Sequence, residues 1–446
     1  MIIGNKTNME EWGMKQVTQI INEVKAGQFK DLLKDIYVDE SMIAYQEERY
    51  VKALESYVNL YGEQEVELYS AAGRSEVGGN HTDHQRGRVL AASINLDAVA
   101  VVNKNDDGAI RIVSAIKAGD TYKDMTIELN AFDMDLREEE KETSLALVRG
   151  VLKGLKDRGY EIGGFNAYIT SDVFVGSGLS SSAAFEVIVG TILDGLYNDM
   201  KVSMVEIAQI GQFAENVYFG KPSGLLDQMA CAIGGLITID FADKANPVVN
   251  KVDVDFEEKG YSLCIVDTKG SHDDLTDEYA AVPYEVKKVA EFFGKEVLRE
   301  VDEAEFMANI PALREKLGDR AILRAIHFFG DNARVADQVA ALADGEFEKF
   351  LGMIKASGDS SYKYLQNVYT AKDVQAQNVS IALAVSEKVL GDNGVCRVHG
   401  GGFAGTIQAF VKNEFVPTYK AALDNVFGPG SCHVLKVRKY GGMKIM

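Results

Sequence analysis

The ten residues from Val175 to Ala184, VGSGLSSSAA, limit the possible folds more than any other stretch because of what flanks them. Before them Phe165, Ala167 and Ile169 alternate as the inward residues of a strand. After them Ala184, Val187, Ile188, Ile192 and Leu196 recur along one side of a helix spanning about 181 to 197. A strand that turns through glycines into a helix aims several unpaired backbone N–H groups at one spot. It also supplies the positive end of the helix dipole and room for an anion. The serines can cap the helix, donate to phosphate oxygens or offer Mg2+ a hard oxygen, although an ordinary capped turn looks similar. With no Lys-Ser or Lys-Thr after the glycines, this is not a Walker loop.

Two other glycine segments carry polar chemistry. Gly400-Gly401-Gly402-Phe403-Ala404-Gly405 has the spacing of a dinucleotide loop. However, the β-prone Thr406 to Val411 follows it rather than a helix, so alone it reads as a strained turn. Gly73 to His84, GRSEVGGNHTDH, crowds Arg, Asn, His and Asp between a strand at 65 to 70 and the apolar Val89 to Ile94. These are the donors and acceptors that read sugar hydroxyls, and a solvated loop could also contain them.

Around these segments the periodicity predicts an α+β chain. Helical spacing fills residues 9 to 62, and β-prone runs begin at Glu65. LDAVAVVNK and AIRIVSAIK, joined by Asn105-Asp106-Asp107-Gly108, read as a tight antiparallel hairpin. A helix is expected at 140 to 158. In the second half, helices are expected at 279 to 294, 319 to 342, 345 to 356 and 371 to 390, and strands at 394 to 399, 405 to 411 and 433 to 438. The expected organisation is an N-terminal helical extension (1–45), one lobe over 46–235, a second over 236–446, and an active site in the cleft between them.

Composition removes several function classes. Against 67 Asp and Glu stand 47 Lys and Arg, a net charge of −20 that repels nucleic acid and anionic lipid. Local N–H groups, a metal ion and a few cations can still hold a phosphate. The cysteines at 231, 264, 396 and 432 lack metal-ligand spacing and suit a reducing cytoplasm. The opening residues show no secretory leader, and no apolar run is long enough to span a bilayer.

Taken in order, the three segments resemble those of the GHMP sugar kinases, and most closely the galactokinases. In that family a Gly-Arg segment leads into Gly-Glu-His-Thr-Asp-Tyr, Gly-x-Gly-Leu-Ser-Ser-Ser-Ala holds ATP phosphates, and a late glycine turn closes the site. The likeness extends to Ala214-Glu215, Gly224-Leu225-Leu226-Asp227-Gln228, Asp277-Glu278-Tyr279 and Arg324-Ala325-Ile326-His327, covering about residue 45 onward. It implies a two-lobed kinase that uses ATP and Mg2+ to phosphorylate galactose at the C1 hydroxyl. Asp227 would be the catalytic carboxylate and Arg74 its partner. Gly176, Ser177, Gly178, Leu179, Ser180, Ser181, Ser182 and Ala183 would hold ATP, and Ser182 and Glu215 the metal ion. Asn80, His81, Asp83, Gly224 and Tyr279 would contact the sugar. Asn80 stands where the family has a glutamate that accepts from the C6 hydroxyl, and His84 where it has a tyrosine. His272, His327, His399 and His433 read as structural. Galacturonate, N-acetylgalactosamine or arabinose as acceptor, or a sensor without turnover, are the competing readings, and the sequence leaves oligomeric state open.

Overall fold

The computed structural model describes residues 14–446 apart from 119–120, 175–177, 244 and 271–274, and the backbone alone at 116–118, 121–124 and 276. The chain begins with a short strand, β1 (Lys15–Gln16), and three helices, α1 (Val17–Lys25), α2 (Lys30–Tyr37) and α3 (Ile43–Tyr61). Their apolar faces, including Ile20, Leu33, Ile36 and Leu54, close over Val66, Leu68, Val99 and Val101 of two long strands, β2 (Glu65–Gly78) and β3 (Arg88–Lys104). Side chains alternate along a strand, so Tyr69, Ala71, Ala98 and Ala100 point the other way into the main core. The helical extension thus covers one face of the sheet. Beneath it Asp97, fully buried, receives Arg49 at 2.7 Å, Arg438 at 2.7 Å and the Tyr37 hydroxyl at 2.9 Å.

The first lobe continues through β4 (Ala109–Ala118), β5 (Thr121–Asn130), α4 (Ser144–Asp157), β6 (Phe165–Ser171), α5 (Ser181–Asn198), α6 (Met204–Phe213), α7 (Leu226–Ile233), β7 (Leu236–Asp240) and β8 (Val248–Lys251). Among the described residues the sheet order is β1-β2-β3-β6-β4-β5, with β7 pairing β3 and β8. The hairpin expected at 105–108 does not form. β6 lies between β3 and β4, antiparallel to the first and parallel to the second. Gly164 enters so close to the 105–108 turn that a Cβ there would lie 2.2 Å from Asn105 Oδ1. The turn is splayed to admit a central strand whose Phe165, Ala167 and Ile169 all enter the core.

The second lobe is built on β9 (Tyr261–Asp267), followed by α8 (Thr276–Phe292), α9 (Glu303–Ala308), α10 (Ile310–Leu317), α11 (Asp319–Ala343), α12 (Phe347–Ser360), α13 (Asn378–Leu390), β10 (Gly394–Val398), β11 (Thr406–Lys412), α14 (Val416–Phe427) and β12 (Cys432–Leu435). Its antiparallel sheet runs β10-β11-β9-β12. The α13 helix starts at Asn378, later than the periodicity implied. Asp373 accepts the backbone N–H groups of Gln375 and Ala376, a local turn that competes with the helix. The last strand, β13 (Met443–Lys444), returns to pair with β2. The chain therefore crosses between lobes twice, at 252–260 and 436–442. The crossings are linked by the Lys436–Glu257 ion pair at 2.6 Å. The architecture is a two-lobed α+β fold carrying an N-terminal helical extension.

Candidate active site

A cleft of about 670 Å3 opens where the ends of β2 and β10 approach the first turns of α5 and α7. β2 runs past the strand expected at 65 to 70 and, through two register shifts, carries Arg74 and Glu76 to the cleft wall. Arg74 Nε and Nη2 each lie 2.7 Å from Asp227 Oδ1, and Nη1 donates to the Gly178 carbonyl. Asp227 sits in the first turn of α7, where the helix dipole favours a carboxylate, and accepts the Ser180 hydroxyl on its other oxygen. Burial alone would raise its pKa. The Arg74 charge and hydrogen bond, helped by Ser180, outweigh that and hold it at about 2.

The phosphate-loop residues divide by where they point. Gly178, Ser180, Ser181 and Ser182 line the cleft, whereas Leu179 and Ala183 are fully buried in the main core. Leu179 contributes its carbonyl, which accepts the Arg74 backbone N–H at 3.1 Å. Gly176 and Ser177 lie outside the described residues. Gly178 has φ +68°, and a Cβ on it would meet Thr406 Oγ1 at 2.9 Å, so the loop rests directly on β11.

Ser182 Oγ donates to Glu215 Oε1 at 3.1 Å, and Lys221 Nζ reaches the same oxygen at 2.9 Å. Gln228 Nε2 holds Glu215 Oε2 at 2.9 Å and Glu186 Oε2 at 3.0 Å. Burial, with the Glu215 charge beside it, pushes the Glu186 carboxyl well above the ordinary range. Among the described residues no three His, Cys, Asp or Glu side chains group as a metal site. The adjacent hydroxyl and carboxylate nevertheless form a hard-oxygen pair of the kind Mg2+ takes when phosphates and water complete its shell.

On the opposite wall His81 Nε2 donates to the Gly401 carbonyl at 3.0 Å, and its ring stacks on His84 at 6.0 Å. Burial, reinforced by His84, pushes the His81 pKa down to about 3, so the ring is neutral. Asp83 lies against Gly224, where a Cβ would fall 1.7 Å from Asp83 Oδ2, so this contact admits only glycine. The Tyr279 hydroxyl donates to the Gly402 carbonyl at 2.6 Å, joining α8 to the glycine turn.

Asn80, expected to touch the sugar, is fully buried and does not line the cleft. Its amide donates to the Gly400 carbonyl at 2.7 Å and to Glu76, while its oxygen accepts from Asn367 at 2.9 Å and Ser361 at 3.1 Å. Both ends of the amide that would contact the sugar are therefore bonded within the protein. Lys221 and Glu76 line the cleft and were missed, as was the cleft-facing position of His399. His399 is buried and bonded to Ser75 at 3.1 Å and Thr406 at 2.9 Å, so it also braces β2 against β11. The basic Lys221 between Gly220 and Pro222, close before Asp227, was the available signal for the first of these.

Sequence comparison adds the family. The GHMP kinases N terminal domain matches residues 146–235, and the galactokinase galactose-binding signature matches residues 55–104. A galactokinase of Actinobacillus pleuropneumoniae is 31% identical over 366 residues, covering 82% of this chain and 90% of its own. One from Glaesserella parasuis is 32% identical over 80% of this chain and 88% of its own. The chain belongs to the galactokinase-like family of GHMP kinases. Lactococcus lactis galactokinase, solved with galactose, superposes with a TM-score of 0.73 at 26% identity, covering 87% of this chain and 98% of its own. A mevalonate kinase at 17% identity and a TM-score of 0.57 shares the fold, covering 83% of this chain and 99% of its own. As a GHMP kinase of the galactokinase-like family, the chain is a small-molecule kinase.

Proposed function

We propose that the chain transfers the γ-phosphoryl group of ATP to the C1 hydroxyl of galactose, yielding galactose 1-phosphate and ADP. The observation that carries this reading is Asp227. It is held by Arg74 and Ser180 where the phosphate-loop side of the cleft meets the wall bearing His81 and Asp83. Phosphoryl transfer asks the protein mainly for alignment and charge stabilisation. Asp227, ionised, orients the acceptor hydroxyl and takes its proton. Arg74 offsets the negative charge on the group in flight. The N–H groups opening α5 and the hydroxyls of Ser180, Ser181 and Ser182 hold the phosphates. Ser182 and Glu215 would hold Mg2+, which when bound neutralises phosphate charge. Asp83, His81, Gly224 and Tyr279 form the sugar wall.

Galactose is favoured by the galactokinases among the relatives. ADP release measured over galactose, galacturonate, N-acetylgalactosamine and arabinose tests the reading. Galactose should give the highest kcat/KM, and Asp227→Asn should lose on the order of 10^2–10^3 or more in kcat. A higher kcat/KM for another sugar would move the assignment to that acceptor, and no ADP release with any of them would remove it.

A further inference from the structure

Glu76 is a buried carboxylate on the cleft wall, two residues along β2 from Arg74 and so on the same face of the strand. Arg397, fully buried, donates to its Oε1 from the side away from the cleft. The rest of that guanidinium is spent on the Val398 carbonyl at 2.9 Å and the Val77 carbonyl at 3.2 Å. The Asn80 amide reaches Oε1 at 3.1 Å and Oε2 at 3.3 Å. Among the described residues Oε2 has that one long contact, so the carboxylate that lines the cleft keeps acceptor capacity. Arg397 itself does not line the cleft. A ligand in the cleft therefore meets the carboxylate first and the compensating charge behind it. The surrounding groups do not reverse the sign: Arg74 is engaged by Asp227, the His81 ring is neutral, and Asp83 is a second carboxylate lining the same cleft.

We propose that Glu76 is a specificity-determining residue that admits a neutral sugar edge bearing a hydrogen-bond donor and rejects a carboxylate or phosphate there. The inference rests on the sugar-kinase reading and narrows its acceptor to neutral hexoses, with uronic acids excluded. An acceptor oxygen aimed into a cleft rewards a hydroxyl or amide N–H. Against a second anion it can offer no bond, and repulsion between like charges is strong where water is scarce. Asn80 serves as the support that holds Glu76 to the wall, which is why its own amide is saturated.

The test compares galactose, galacturonate and galacturonamide, whose last two members share a shape and differ in charge and donor capacity. Wild-type enzyme should use galactose and galacturonamide, with galacturonate at least about 100-fold lower in kcat/KM. Glu76→Gln should shrink the ratio of galacturonamide to galacturonate at least about tenfold. Because Arg397 loses its partner in that variant, Glu76→Gln with Arg397→Gln, which removes both charges, is measured beside it and should show the same contraction. Equal wild-type use of the acid and the amide overturns the inference, as does a ratio unchanged in whichever variant folds. Turnover of galactose in those same experiments would leave the sugar-kinase reading standing, whereas no ADP release with any sugar would remove both.

Discussion

Asp227 is surrounded by groups that keep it charged, and this fixes how activity should respond to acid. With Asp227 held at about 2 and His81 at about 3, neither titrates between roughly pH 5 and 8. The acid limb of kcat/KM against pH should show no ionisation from either residue. An apparent pKa near 6 that vanishes in His81→Gln would contradict this. The linkage runs in the usual carboxylate direction. The depressed pKa makes the Asp227 contribution to stability complete above 3.8 and loses it as pH falls through about 2. Gly224→Ala would drive a methyl group into Asp83, so KM for the sugar should rise about tenfold or more while KM for ATP stays within about twofold. Steady-state kinetics with each substrate varied in turn measures both. That Arg74, Asp227, Asp83 and Gly224 belong together was legible because ordered motifs name them, and all four line the one cleft. The burial of Asn80 was not legible because motif position says nothing about direction. Gly79, at φ +84°, turns the chain after β2, sending Asn80 into the lobe contact while Glu76 stays on the cleft face. Extending the strand past residue 70 and counting by twos from Arg74 would have found Glu76.

Among the elements, the N-terminal helices carry the clearest energetic consequence. Leu54 of α3 is fully buried in the cluster that also holds the strand residues Val66 and Val99, so Leu54→Ala should cost about 2–5 kcal/mol. Asp97→Asn should cost a comparable ~3–5 kcal/mol, because Arg49 and Arg438 then face each other without their shared counter-charge. Chemical denaturation of each variant gives these values, and a loss below about 1 kcal/mol in both would mean the extension contributes little. Periodicity located α4, α5 and α11 to within a few residues, since each buries one continuous stripe. The 105–108 turn misled because Asp-Gly reports local backbone geometry, whereas pairing was decided by β6, some sixty residues downstream. The role of the leading helices was hidden for a related reason. Val66, Leu68, Val99 and Val101 belong to runs apolar on both faces, and such runs do not say what covers the second face.

At the scale of the molecule, Asn80 ties the two lobes together. Its backbone N–H donates to Asp331 at 2.8 Å and its carbonyl accepts from His327 at 2.9 Å, while its side chain bonds the glycine turn and the residues after α12. Asn80→Ala would leave several of these buried groups unpaired, at about 1–3 kcal/mol, and lower the thermal midpoint by about 1–3 °C. Calorimetry reads the shift, and an unchanged midpoint would mean the lobes are held by other contacts. The two-lobed plan was visible in the alternation of strands and helices. The return of β13 to β2 was not, because two residues are too short to leave a periodic signature.

That return has a mechanical meaning. A body joined to another at a single point keeps three independent rotations, but one joined at two neighbouring points keeps a single swing about the line between them. The crossings at 252–260 and 436–442 lie side by side, clasped by Lys436 and Glu257. Two pins remove sideways slip and twist, and the one remaining swing is opposed by the core the lobes share, where Val335, Phe350 and Phe410 pack with first-lobe residues, and by the bonds of Asn80. The Arg74–Asp227 contact lies wholly within the first lobe, so neither partner is carried by the second.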